Sequence, residues 1–352
     1  MDSLTVALAS LGGIVLAGVI AHGAWQARRA GPKRAVPAAR EEPSASAPSD
    51  RDADVLADDG DGADGGAVAA PVRRLSKRLP IQLDALIDAF APIALDTPVA
   101  GDTVLAHLPS KRHVGSKLVL VEGLDVDTGH WEAPAAGKRY SELQAGVQLA
   151  SRTGPLNEIE YSEFVQRMQA LAEAIGGSVD APDMLDVMAR ARELDAFASA
   201  HDAQLAVHLH ARGAAWSVGY IHQHARRHGF VPGVVPGRLV YAAEEEGAPP
   251  VLTLTFDAQA ALADEPDRAA VRDVTLAFDV PQTAPAGEPF QAWQAAAQAL
   301  AVGMDAEVVD DDGRPLSSAG FASIGAELGQ LYAALEARDL AAGSPAARRL
   351  FS

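Results

Sequence analysis

Cysteine is missing from all 352 residues, which rules out disulfides, thiol catalysis and Cys-ligated zinc. Positive charge is scarce: 29 Lys and Arg face 47 Asp and Glu, for a formal net charge of −18 and a sequence pI near 4.9. An acidic body has no basic face with which to displace counterions from phosphates, so nucleic acid is excluded as a partner. Aromatics make up only 5%. No Gly-rich phosphate loop, nucleophile elbow or HExxH pattern occurs. The expectation is therefore a protein that is not an enzyme and takes no cofactor and no metal. The hydrophobic fraction of 48%, much of it Ala, is enough for real cores.

Long apolar runs are also rare, and the exception stands at the start. Leu4 to Trp25 carries no charge and ends at Arg28, Arg29, Lys33 and Arg34. As a helix rising about 1.5 Å per residue it would reach roughly 33 Å, the thickness of a bilayer's hydrocarbon core. A secretory signal carries its bases before the apolar run and a cleavage site after it, the reverse of this order. The reading is an uncleaved transmembrane helix over residues 4–25. Its one-sided bases put the N-terminus outside and the rest of the chain in the cytoplasm at the inner membrane. Ala9, Gly13 and Ala17 repeat at the spacing that permits close helix contact, so a homodimer through that face is a further expectation.

Residues 26–80 have a linker's composition. Pro, Ala and Ser dominate Pro32 to Ser49, and an acidic Gly/Asp tract fills Asp50 to Gly66. Such a segment has too little to bury to offset its ordering entropy, which predicts a disordered spacer of roughly 40 Å r.m.s. span. Asp58, Asp59, Asp61 and Asp64 lack the spacing and terminal Glu of a calcium loop. A second basic cluster, Arg73, Arg74, Lys77 and Arg78, closes the linker beside a lipid surface or plain solvent.

Beyond it the chain repeats. Ala145–Val179 aligns without gaps on Val274–Val308. Each copy opens with an alternating strand (Ala145, Val147, Leu149; Val274, Leu276, Phe278). An amphipathic helix follows, in which Phe164, Met168, Leu171 and Ile175 correspond to Trp293, Ala297, Leu300 and Met304. A short strand and a second helix end each copy. The fold class read from this is α+β: after the transmembrane helix and linker come two tandem β-α-β-β-β-α-β-α units, residues 81–199 and 201–340. Each has an antiparallel-type sheet with helices on one face, and residues 341–352 form a C-terminal tail.

Chemistry-bearing residues are few. His208, His210, His222, His224 and His228 are the nearest approach to a metal constellation, but such a site calls for an accompanying carboxylate, and the helix lies on the opposite sheet face from at least one set, so they read as surface histidines. Asp125 and Asp127 before Gly129, and Asp310 to Asp312 before Gly313, read as turns.

Two stretches resemble the bacterial cell-division ZipA family. Ile20-Ala-His-Gly-Ala-Trp-Gln-Ala-Arg-Arg29 looks like that family's anchor exit, with Ala24 where an aromatic is usual. From about Ala203 to Leu340 the order of motifs looks like its C-terminal domain. They are Leu205–Leu209, His228-Gly229-Phe230, Val274-Thr275-Leu276-Ala277-Phe278-Asp279-Val280-Pro281 and Glu307-Val308-Val309-Asp310-Asp311. The extra copy over 81–199 departs from the family pattern. The resemblance implies an adaptor that binds the C-terminal tail of FtsZ on the sheet face free of helices. It would tether and bundle FtsZ filaments at the inner membrane of the septum. Alternation then names that face: Gln204, Ala206, His208, Arg238, Val240, Thr253, Thr255, Thr275 and Ala277. Only Ala206, Val240 and Ala277 among them are apolar, so polar contacts carry much of the expected binding. The first copy offers Gly146 and Gln148 as the equivalents of Thr275 and Ala277. The alternative reading is an anchored scaffold for a different envelope or division protein.

Overall fold

Strands whose residues turn alternately inward and outward build two antiparallel sheets. The computed structural model describes residues 82–245, 247–265 and 268–352. The chain runs β1 (Asp88–Ala100), α1 (Gly101–His107), β2 (His113–Val114), β3 (Lys117–Asp125), β4 (Trp131–Glu132) and β5 (Arg139–Gln148). A small hairpin follows, β6 (Ala150–Ser151) and β7 (Gly154–Pro155), then α2 (Glu158–Ile175), β8 (Gly177–Val179) and α3 (Met184–His201). The second half holds β9 (Gln204–Ala211), α4 (Val218–Arg227), β10 (Val231–Pro232), β11 (Arg238–Tyr241), β12 (Leu252–Thr255) and α5 (Ala258–Ala261). It closes with β13 (Asp273–Asp279), α6 (Pro289–Met304), β14 (Ala306–Val309), α7 (Ser318–Glu336) and α8 (Pro345–Leu350).

The first sheet has the order β2-β3-β5-β1-β8 with β4 on the flank of β3; the second is β10-β11-β12-β13-β9-β14. In both, the unit's opening strand (β1, β9) lies between the strand that precedes the long helix (β5, β13) and the strand that follows it (β8, β14). The long helices are set locally. Asn157 caps α2 by accepting from Ile159 and Glu160 N–H at 3.0 Å each, while Glu160 reaches back to Asn157 N–H at 3.2 Å. Gly176 ends that helix in the left-handed region, φ 74°, where a side chain would strain the backbone. In α6, Trp293 is fully buried and donates its indole N–H to Leu276 C=O of β13 at 2.9 Å, fastening helix to sheet.

Two hydrophobic cores result, one under each sheet. They are not independent. Leu335 and Leu340, from the end of the second unit, and Ala346, Ala347, Leu350 and Phe351, from the segment after it, are buried in the core of the first. Leu331 and Tyr332 of α7 pack against both cores. Residues 341–352, expected as a tail, include α8 and close over the first unit. Polar links follow the same route: Gln148 Nε2 donates to Arg349 C=O at 2.8 Å, and Gln282 Nε2 to Phe351 C=O at 2.5 Å.

The architecture is mixed α+β with sheets, and one part of the expected fold class is corrected. Among the described residues no helix is long and apolar enough to cross a membrane. The longest of them, α7 with 19 residues, mixes Ser, Gly, Gln and Glu with apolar positions and buries Phe321, Leu328 and Leu335 against the protein. A span needs about 20 predominantly apolar residues. The run Leu4–Trp25, the bases Arg28, Arg29, Lys33 and Arg34, the small residues Ala9, Gly13 and Ala17, and the linker 26–80 lie outside the described residues.

Candidate functional site

The second sheet divides its residues cleanly. Val207, Leu209, Leu239, Leu252, Leu254, Val274, Leu276 and Phe278 are buried beneath the helices. Every intervening side chain points to the opposite face. Pairing sets these in rows. Ala206, Ala277, Thr253 and Val240 lie opposite one another across four strands, continued by Val231 on β10. Beside that row run His208, Thr275, Thr255 and Arg238. Gln204 pairs with Asp279 at one end, its Nε2 donating to Oδ2 at 3.4 Å. The positions named from alternation thus share one continuous face.

That face has a polar, charged part on β9, β13 and β14 and an apolar part toward β10. His208 Nδ1 meets Thr275 Oγ1 at 3.0 Å and its Nε2 meets Asp311 Oδ1 at 2.8 Å. His210 hydrogen-bonds Asp273 alongside, and Glu307 of β14 sits opposite His210. Arg238 Nη2 donates to Thr253 Oγ1 at 3.3 Å. Toward β10, Val231 and Val235 are about half exposed (50% and 55%) and Val234 is fully exposed. Ala206 and Ala277, beside His208 and Thr275 on the same two strands, are the small apolar positions of the face.

The remaining sequence candidates are dispersed. His222, His224 and His228 belong to α4 and its C-terminal cap, on the helix side of the sheet from His208 and His210. Burial, and then Arg226, push the His222 imidazole below its ordinary value. Among the described residues no group of three or more His, Asp or Glu could hold a metal ion. Asp125 accepts from Asp127 N–H at 3.0 Å and from Lys138 Nζ at 2.9 Å; these bonds, the backbone one foremost, hold its carboxyl below the usual range. Asp310 accepts from Asp312 and Arg314 N–H at 3.0 and 2.8 Å. Both aspartate groups are turns, with Gly129 and Gly313 at positive φ.

In the first unit the corresponding positions are occupied. Gln148 is buried and donates to Ala150 C=O at 2.8 Å as well as to Arg349 C=O. Gly146 lies beneath Leu83. Sequence reading also passed over Lys117, buried with its ammonium among Ser116, Ser151 and Thr153 hydroxyls at 3.0, 3.0 and 3.1 Å. A lysine opening an alternating strand gives no signal that hydroxyls from a distant hairpin will surround it.

No family model matches the chain, and no curated protein matches its sequence.

Proposed function

We propose that this protein is a non-enzymatic adaptor whose second sheet binds a short peptide tail on its helix-free face. The observation that carries the reading is the register of Gln204, Ala206, His208, Arg238, Val240, Thr253, Thr255, Thr275 and Ala277 as one continuous surface. The likeness to the ZipA family supplies the specific occupant, the C-terminal tail of FtsZ. The biological consequence is tethering and bundling of FtsZ filaments at the septum, with the N-terminal region placing the protein at the inner membrane.

Titration of the full chain with an FtsZ tail peptide tests this. Binding that a Val240→Glu, Ala277→Glu double variant loses, while its thermal unfolding is unchanged, supports the reading. No binding at millimolar peptide and none to FtsZ polymer overturns it. The polar content of the face favours a second reading, a scaffold for a different envelope or division protein. Capture of such a protein from cells by the wild type but not by the double variant distinguishes it.

A further inference from the structure

We propose that the face of the first sheet turned away from its long helix α2 is a second peptide-binding site, held closed in cis by residues 82–84. Pairing of β1, β5 and β3 puts Phe90, Gly146 and Leu120 in one row across this face. The neighbouring positions Ala89, Ala91, Ala145, Val147 and Val119 point the other way, into the core. A glycine inside a strand marks a close approach by another group. Here that group is Leu83: a Cβ added at Gly146 would lie 2.1 Å from Leu83 Cδ2. The Leu83 side chain fills the hollow that the missing side chain leaves.

The main chain of this short strap is gripped as a bound peptide would be. Leu83 N–H donates to Glu122 Oε1 at 2.8 Å, and Arg349 Nη1 donates to Gln82 C=O at 3.1 Å. Asp84 N–H donates to Asp88 Oδ2 at 2.9 Å. The gripping groups are themselves fastened from elsewhere. Glu122 is buried and its Oε2 accepts from Gln144 Nε2 at 2.9 Å; Arg349 is held by Asp88. With the strap gone, the hollow, the acceptor and the donor remain in place, which lowers the ordering cost of a new occupant. The exposed residues Pro92 and Ala94 and the half-buried Leu124 extend the same face. The partner it fits is an extended segment with a leucine-type side chain for the Gly146 hollow. Its own N–H would bond Glu122, and the preceding carbonyl would bond Arg349.

A labelled peptide of residues 80–86, Pro80 to Leu86, titrated onto the full chain tests the site and involves no FtsZ sequence, so its outcome is independent of the second sheet. The tethered strap competes at an effective concentration of order millimolar, so a Leu83→Gly chain should bind the peptide at least about tenfold tighter than wild type. Adding Gly146→Val fills the hollow and should abolish that gain. Equal binding by wild type and Leu83→Gly, or a gain that survives Gly146→Val, overturns the proposal. If circular dichroism shows Gly146→Val unfolded, Leu83→Gly with Glu122→Ala replaces it and must also lose the gain. A wild-type chain that dimerises, with the dimer lost in Leu83→Gly, would overturn the cis arrangement.

Discussion

Arg349 sets its two terminal nitrogens on the carboxylate of Asp88, Nη1 on Oδ2 at 2.9 Å and Nη2 on Oδ1 at 2.6 Å, across 261 residues of chain. Both side chains are nearly sealed from water, at 11% and 1% exposure. The pair fixes the end of the chain against the first strand of the first unit. Burial nevertheless pushes the Asp88 carboxyl up, and the Arg349 guanidinium only partly offsets this. The pair therefore specifies where the C-terminal segment docks more than it adds net stability.

Removing one member leaves the other charge buried and alone. Arg349→Ala or Asp88→Ala should each lower unfolding free energy by about 3–5 kcal/mol, whereas Asp88→Leu with Arg349→Met should recover most of the loss. Urea unfolding midpoints compared at constant m-value check this.

The same carboxyl gives a pH dependence of defined sign. Its folded value is raised above the ordinary 3.8, so the folded state holds the proton to higher pH than the unfolded state. Stability from this group is thus greatest at or below that ordinary value and falls as pH rises toward the folded one. Relative to Asp88→Asn, wild type should lose stability across that window and then level off. Chemical denaturation of both proteins at a series of pH values measures the difference.

Lys117 carries the opposite slope. Burial lowers its ammonium value, with Glu160 and Asp195 opposing more weakly. The folded state releases the proton first, so stability relative to Lys117→Met should rise with pH from the lowered value up to the ordinary 10.5. Lys117→Ala should cost more than Lys117→Met, by about 1–3 kcal/mol, because it also opens a cavity. The three hydroxyls remain mutually bonded in either variant, Ser151 to Thr153 at 2.8 Å and Thr153 to Ser116 at 3.0 Å.

Tyr332 sits where the two cores meet, and its buried hydroxyl has no hydrogen-bond partner. Burial pushes it up to about 12. Tyr332→Phe removes an unsatisfied polar group while keeping the ring, so it should be neutral or stabilise by up to about 1 kcal/mol. A thermal melt that drops by several degrees would show that the hydroxyl matters to the joint between the units.

Period-two alternation made the second sheet's face readable residue by residue. Any strand that buries one side with Val207, Leu209, Leu276 and Leu254 must turn Ala206, His208, Thr275 and Thr253 to the other. The strand glycine Gly146 was the available signal at the first face, since a missing side chain there invites close packing. What fills the space, Leu83, stands just past the linker, before the first strand, where no periodicity assigns it a place. The histidines adjacent in sequence are divided between a strand, with His208 and His210, and a helix with its cap, with His222, His224 and His228.

Local physics within the sequence determined the strands, the long helices with their caps, and the turns at Asp125 and Asp310. Each depends on residues a few positions apart. Tertiary structure alone decided that the C-terminal segment completes the first core, that Arg349 finds Asp88, and that Leu83 closes one sheet face while the other stays open. These contacts join residues far apart in the chain, and burial together with shape complementarity selects them, which no periodicity encodes.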